Sequence, residues 1–198
     1  MTPAAMRAVL AVTIAAALLY GMQRTTPYFS DITSPVSVRG VQGKRVEADS
    51  FAAAIARVRL ARELVIPGFP EDRTLTSSSG IWVVVEGAAE ALQQSLALAS
   101  ATWLSRDGIR YAMSSRTGAL GGEPGTEQLQ PGIPRPLLMV FEVPERQLAG
   151  ATVIISPIRT TALVQEVHVA LTEIPEPVHG RIIIRRGSRL LPWRLEAQ

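Results

Sequence analysis

The sequence predicts an all-β fold, a two-sheet antiparallel sandwich preceded by one N-terminal transmembrane helix. Three observations carry that expectation. About seven short apolar segments recur at intervals of roughly ten to twenty residues, separated by Gly, Pro and Asp-Gly turns. One of them, Ile81–Val85 (IWVVV), is apolar on both of its alternating faces, the pattern of a central strand covered on both sides. A charge-free run, Ala8–Met22, lies close to the amino terminus.

Composition narrows the class further. The chain has 198 residues, 47% hydrophobic and 19% charged, which excludes a disordered acidic or basic tail as its main content. The net charge is +3, and Lys44 is the only lysine beside nineteen arginines. This arginine- and alanine-rich usage resembles high-GC bacterial coding. No nucleic-acid-binding motif or basic stripe with aromatic support accompanies it, so nucleic acid is not an expected partner. The absence of cysteine excludes disulfides, thiolate metal sites, cysteine nucleophiles and a lipidated cysteine.

At 1.5 Å per residue the run Ala8–Met22 covers about 22 Å, against about 30 Å of bilayer hydrocarbon. Adding Pro3–Met6, with Arg7 snorkelling to the headgroups, brings the span close to sufficient. The length also suits a signal peptide. The exit LLYGMQRTTP lacks a small-x-small cleavage site, which favours an uncleaved signal anchor over residues 1–24, with residues 8–22 in the lipid bilayer. A short amino-terminal tail before a large body implies a single-pass protein of the bacterial cytoplasmic membrane, N-in/C-out. Residues 25–43, rich in Thr, Pro and Gly, read as a juxtamembrane linker or a first edge strand through Val36, Val38 and Val41.

The body spans 44–172. Val46–Ile66 carries both signals: Phe51, Ile55 and Val58 follow a helical spacing, whereas Arg57, Val58, Arg59 and Leu60 alternate as a strand. Context favours strand, drawn as a hairpin of Val46–Ile55 with Ile55–Leu64. Ala88–Ser100 suits either a strand entering a loop or a short helix. Asp107-Gly108 marks a tight hairpin turn between Ala101–Leu104 and Ile109–Met113. Gly118–Gln130 is a glycine-rich loop without the spacing or the lysine of a phosphate cradle. Leu137–Val143, Ala151–Ser156 and Thr161–Leu171 complete the strands, with Pro131-Gly132 and Pro134 launching the first of them.

Three segments in order, Ser79–Glu86 (SGIWVVVE), Trp103–Arg116 (WLSRDGIRYAMSSR) and Leu129–Pro144 (LQPGIPRPLLMVFEVP), resemble the exported bacterial DUF4352 family, especially its actinobacterial members. The resemblance spans about Gly43–Leu171 and implies an immunoglobulin-like sandwich on the outer side of the membrane. It brings no catalytic residues. Ala52–Ala56 departs from the β-branched residues the family pattern has there.

Residues 173–198 follow as an arginine-rich C-terminal extension. Arg181, Arg185, Arg186, Arg189, Trp193 and Arg194 are the candidate residues for contact with anionic lipid or an acidic partner. The competing and favoured reading is an added edge strand over Arg181–Arg186, its arginines solvated and guarding the edge.

No catalytic, cofactor or metal constellation emerges. There are two histidines, His168 and His179, and no G-x-S-x-G, so a nucleophile relay is not expected, and His168 reads as a surface or edge residue. Glu71-Asp72 reads as a solvent-facing turn, and Glu142 as a strand end emerging into water. The expected function is therefore non-enzymatic and without cofactor, a membrane-anchored module binding another cell-envelope protein. The alternative is an extracytoplasmic carrier or sensor of a small apolar or glycan ligand.

Overall fold

The computed structural model describes residues 3–25, 34–78, 80–118, 120–158, 163–172, 178–188 and 190–198. They divide into two units, 1–34 and 35–198. The first contains α1, Pro3–Thr25, 23 residues that include an 18-residue window of mean hydropathy 1.8 and no buried residue. At 1.5 Å per residue α1 is about 34 Å long, enough to cross a bilayer. It gains length over the apolar run because Arg7 and Arg24 are helical too, and Arg24 donates to the Tyr20 hydroxyl one turn back at 2.9 Å. Tyr28, Phe29 and the rest of 26–33 lie outside the described residues.

The second unit is a β-sandwich. Its strands are β1 Val36–Val41, β2 Val46–Glu47, β3 Phe51–Ile66, β4 Arg73–Thr76, β5 Ile81–Ala91, β6 Leu96–Leu104, β7 Arg110–Ala112, β8 Gln128–Leu129, β9 Arg135–Val143, β10 Thr152–Pro157, β11 Gln165–Ala170, β12 His179–Arg186 and β13 Trp193–Ala197. One sheet runs β1-β11-β10-β6-β7, with β8 also on β6; the other runs β13-β12-β3-β5-β9, with β2 and β4 on β3. The central pairings are antiparallel. Two others are parallel, β1 with β11 and β12 with β3.

The ambiguous stretch 46–66 is strand, although its turn falls elsewhere than the sequence suggests. Ala48–Ser50 makes the hairpin, with the Ala48 amide donating to the Phe51 carbonyl at 2.9 Å, and β3 then runs unbroken for 16 residues. A bulge between Ile55 and Arg57 resets which side chains face inward, so Phe51, Ala53 and Ile55 are followed by Val58 and Leu60 in one core. That shift produces the helix-like spacing of the sequence. Ala88–Ala91 belongs to β5, and Leu96 onward to β6, with a turn between them. The Asp107-Gly108 turn is a hairpin: Gly108 has φ +82°, and its amide donates to Ser105 at 3.0 Å.

Two apolar cores result. Between the sheets, Phe51, Ile55, Leu98, Trp103 and Phe141 are fully buried, and the Trp103 and Phe141 rings lie 6.0 Å apart. The far face of β5 and β9, through Trp82, Val84, Leu138 and Val140, forms a second core with Leu64, Ile66, Leu120, Ile182, Ile184 and Trp193. Past Ala61, β3 parts from β5 and pairs with β4 and β12, so these strands and β13 form the layer that supplies Leu64, Ile66, Ile182, Ile184 and Trp193.

Residues 178–198 are therefore not an extension beyond the sandwich. β12 and β13 are an integral hairpin of the second sheet, held there because Ile182, Ile184 and Trp193 cover apolar surface that β5 and β9 would otherwise expose. Pro175 and Pro177, read as separators, lie outside the described residues, as does the start of the last predicted body strand at 161–162.

Candidate functional site

The six candidate residues of the C-terminal segment are not one surface. Arg181, Ile183 and Arg185 alternate with the buried Ile182 and Ile184, so they turn to the outer side of the layer. Arg181 is held by Glu63 at 2.6 Å, and Arg185 by Glu196 at 3.2 Å and Asp72 at 3.9 Å. Arg194 sits cross-strand from Arg185 and is exposed, without an ion pair among the described residues. Arg189 lies outside the described residues. Trp193 is only 3% exposed, so the aromatic expected at a lipid or partner surface is a core residue.

Arg186 and Trp193, directly opposite each other across β12 and β13, line a cavity of about 150 Å³. Arg73 of β4, Arg185, and the loop residues Thr117 and Gly121 complete most of its wall. Arg73 and Arg186 make no ion pair among the described residues, and the Trp193 indole nitrogen is buried without a hydrogen-bond partner there. Arg73 was not singled out from the sequence. It lies in a turn-rich passage, and only the pairing of Ile66 with Arg73 beside β12 brings it near Arg186. The glycine-rich loop contributes by the close approach of its backbone to Trp193. Gly122 has φ +83°, and a Cβ there would strike the six-membered ring of Trp193.

Glu142 is not a strand end emerging into water. It accepts from Ser77 Oγ at 2.8 Å, the Ser78 amide at 2.9 Å and Arg116 Nη1 at 3.0 Å. Burial alone would raise its pKa, but these donors prevail and hold it below the usual carboxylate range. The carboxylate thereby ties β9 to the β4–β5 loop and to the turn after β7.

His168 is neither exposed nor on an edge strand. It sits on β11, flanked by β1 and β10, with a side chain 13% exposed. Its Nε2 is 3.6 Å from Glu166 Oε2, and Ser156 Oγ donates to Glu166 Oε1 at 2.9 Å. The carboxylate thus stands between hydroxyl and imidazole, whereas a nucleophile relay needs the imidazole in the middle. Burial pushes the His168 pKa down, Glu166 opposes this, and Arg110 and Arg39 reinforce it. Among the described residues no group of three His, Cys, Asp or Glu side chains is placed to hold a metal ion.

Two further features are open. β1 is the outer strand of its sheet. Its even-numbered residues bond β11, as the Val36 amide does to Val164 at 3.0 Å, so Ser37 and Arg39 turn their backbone groups outward, whereas the Val41 carbonyl accepts from the Lys44 amide at 3.2 Å. At one end of the sandwich, a cavity of about 590 Å³ is lined by Asp49, Ser50, Leu96, Ile158 and Gln165, among others.

The described residues thus form a two-sheet β-sandwich and an N-terminal apolar helix long enough to cross a membrane. No protein-family model and no curated protein matches the chain. Solved structures do. An uncharacterized beta-sandwich protein from Clostridium difficile is 14% identical with a TM-score of 0.40, covering 70% of this chain and 95% of its own. The yjhA protein from Bacillus subtilis is 9% identical with a TM-score of 0.48, over 66% of this chain and 98% of its own. A conserved hypothetical protein from Bacillus anthracis is 13% identical with a TM-score of 0.45, over 62% and 92%.

Proposed function

We propose that the protein is a single-pass, non-enzymatic binding module, anchored N-in/C-out in the cytoplasmic membrane, that docks an extended segment of another envelope protein along β1. The observation that carries this reading is the outward-facing backbone of Ser37 and Arg39 on an outer strand whose Val36 and Val41 are 45% and 43% exposed. Strand addition draws affinity from such main-chain groups. Arg39 has no ion pair among the described residues, which suits an acidic side chain on the incoming strand. Kinship with the exported immunoglobulin-like family is part of the same proposal. It is supported by the order of the three resembling segments, which fall on β5, on β6–β7 and on β8–β9.

The test is native mass spectrometry on protein extracted from its own membrane, wild type beside Ser37→Pro. Proline at this position removes an outward N–H without touching the β11 ladder. A protein partner present with the wild type and lost with the variant is the expected result; a partner retained by both, or none, overturns docking on β1. A second reading, a carrier, is favoured by the end cavity of about 590 Å³, within the size range of ligand sites. A bound small molecule with no protein partner would select it. External protease on intact cells should remove the body and leave α1; full protection would overturn the orientation.

A further inference from the structure

We propose that the cavity between β4, the glycine-rich loop and the β12–β13 hairpin binds a small oxyanion, the chemistry of a free phosphate or sulfate and equally of a phospholipid headgroup. The proposal is independent of what docks along β1. Three arginines, Arg73, Arg185 and Arg186, are among the residues lining a space of about 150 Å³, and no Asp or Glu is. Cavities of about that size admit a molecule as large as benzene, so a tetrahedral oxyanion fits.

The charges around the cavity are unevenly satisfied. Arg185 is drawn to the outer side by Glu196 and Asp72. Arg73 and Arg186 are exposed and have no such partner among the described residues, so an anion at the cavity meets two uncommitted cations. Planar guanidinium forks match the geometry of oxyanions, and charge-assisted bonds to them are the stronger kind. The wall is also firm. Trp193 and Ile184 belong to the buried core, and the Gly122 backbone packs directly on the Trp193 ring, which anchors the loop side of the cavity to that core. Trp193, whose buried indole N–H has no acceptor among the described residues, reports on this wall from within.

The experiment uses the full chain in neutral detergent, at matched ionic strength in chloride, sulfate or inorganic phosphate. The chain has three tryptophans, so each indole N–H resonance can be assigned. Phosphate should move the Trp193 resonance saturably, move that of Trp103 little, and raise the melting temperature above the chloride value. Arg73→Gln and Arg186→Gln should each weaken the apparent affinity about tenfold or more, whereas Arg194→Gln, outside the cavity, should leave it unchanged. A parallel titration with short-chain phosphatidylglycerol against short-chain phosphatidylcholine separates the sources. A response to the anionic lipid alone, lost in the same two variants, assigns the site to headgroups. No saturable shift with either probe, or a shift retained by both arginine variants, overturns the proposal. Both variants change exposed side chains, and their melting temperatures in chloride confirm that they fold.

Discussion

Arg116 and Glu142, 26 residues apart, meet at 3.0 Å, and the same guanidinium lies 5.2 Å from the centre of the Trp82 ring. Arg116 also donates to the Thr76 carbonyl at 3.2 Å. One side chain therefore joins the turn after β7, the β4–β5 connection and the far face of β5. Removing it should cost about 1–2 kcal/mol, between a solvent-exposed pair and a charged hydrogen bond with a shielded partner. Arg116→Ala and Glu142→Gln should each lower the urea midpoint, and the double variant should lose less than their sum. Strict additivity would show that the pair is not coupled. Because the folded-state pKa of Glu142 lies below its ordinary 4.5, its contribution is complete above that value and lost as pH falls through the folded pKa. Glu142→Gln should flatten that acid limb.

His168 gives a second pH dependence in a different window. Its folded-state pKa is depressed below the ordinary 6.5, so below that value the unfolded chain binds more protons than the folded one. Stability should decline as pH falls from 6.5 towards the folded pKa. The groups facing the ring are Glu166 on its own strand, Arg39 on β1 and Arg110 on β7. In His168→Gln the decline near pH 6 should disappear while the acid limb below about 4.5 persists. Melting curves collected across this range decide the matter, and an unchanged profile would place the titration elsewhere.

The C-terminal hairpin should prove indispensable. Deleting 179–198 removes the buried Ile182, Ile184 and Trp193 and uncovers Trp82, Val84 and Val140. Each such loss costs about 2–5 kcal/mol, together comparable with the whole stability of a domain, about 5–15 kcal/mol. The shortened chain should show no cooperative thermal transition by near-ultraviolet circular dichroism. A sharp transition near the full-length temperature would mean the second core is dispensable. Gly122→Ala is the milder test, since its Cβ meets Trp193 at a positive φ, and it should loosen the hairpin first, visible as faster amide exchange over 179–197.

These features mark how far the sequence could be read. IWVVV announced a strand buried on both sides because both of its alternating faces are apolar, and Asp107-Gly108 announced its turn through local backbone chemistry. The strand β3 was obscured by its own bulge, since one extra residue after Ile55 converts a two-residue alternation into the spacing Phe51, Ile55, Val58. Its alanines favour helix by intrinsic propensity, and burial against β5 overrides that preference. The hairpin Arg181–Ala197 looked like an appendage because its alternation of arginine with isoleucine is that of an edge, and nothing local states which sheet it joins. Arg73 and Arg186 were invisible as neighbours for the same reason: register over long distances leaves no mark in a single sequence. The setting of Glu142 is not legible locally because its three donors come from two distant turns.

The two parallel pairings carry one more consequence, which concerns the order of assembly. Arg181 meets Glu63 across 118 positions, and β1 at the head of the body lies against β11 near its end. A chain emerging from its amino terminus first would present one edge of the outer half of β3, the other being taken by β4, and β1 without its β11 ladder until its last stretch arrived. Closing such long loops is slow compared with local hairpin formation. Passage across a membrane in an unfolded state is then compatible with this topology, because the body cannot lock before the final strands are through. Meanwhile the interval leaves valine- and isoleucine-rich strands open to wrong pairings. A holdase or a rapid hand-over on the far side would shorten that exposure, and the arginines spaced along β12 would keep its unpaired intermediate soluble.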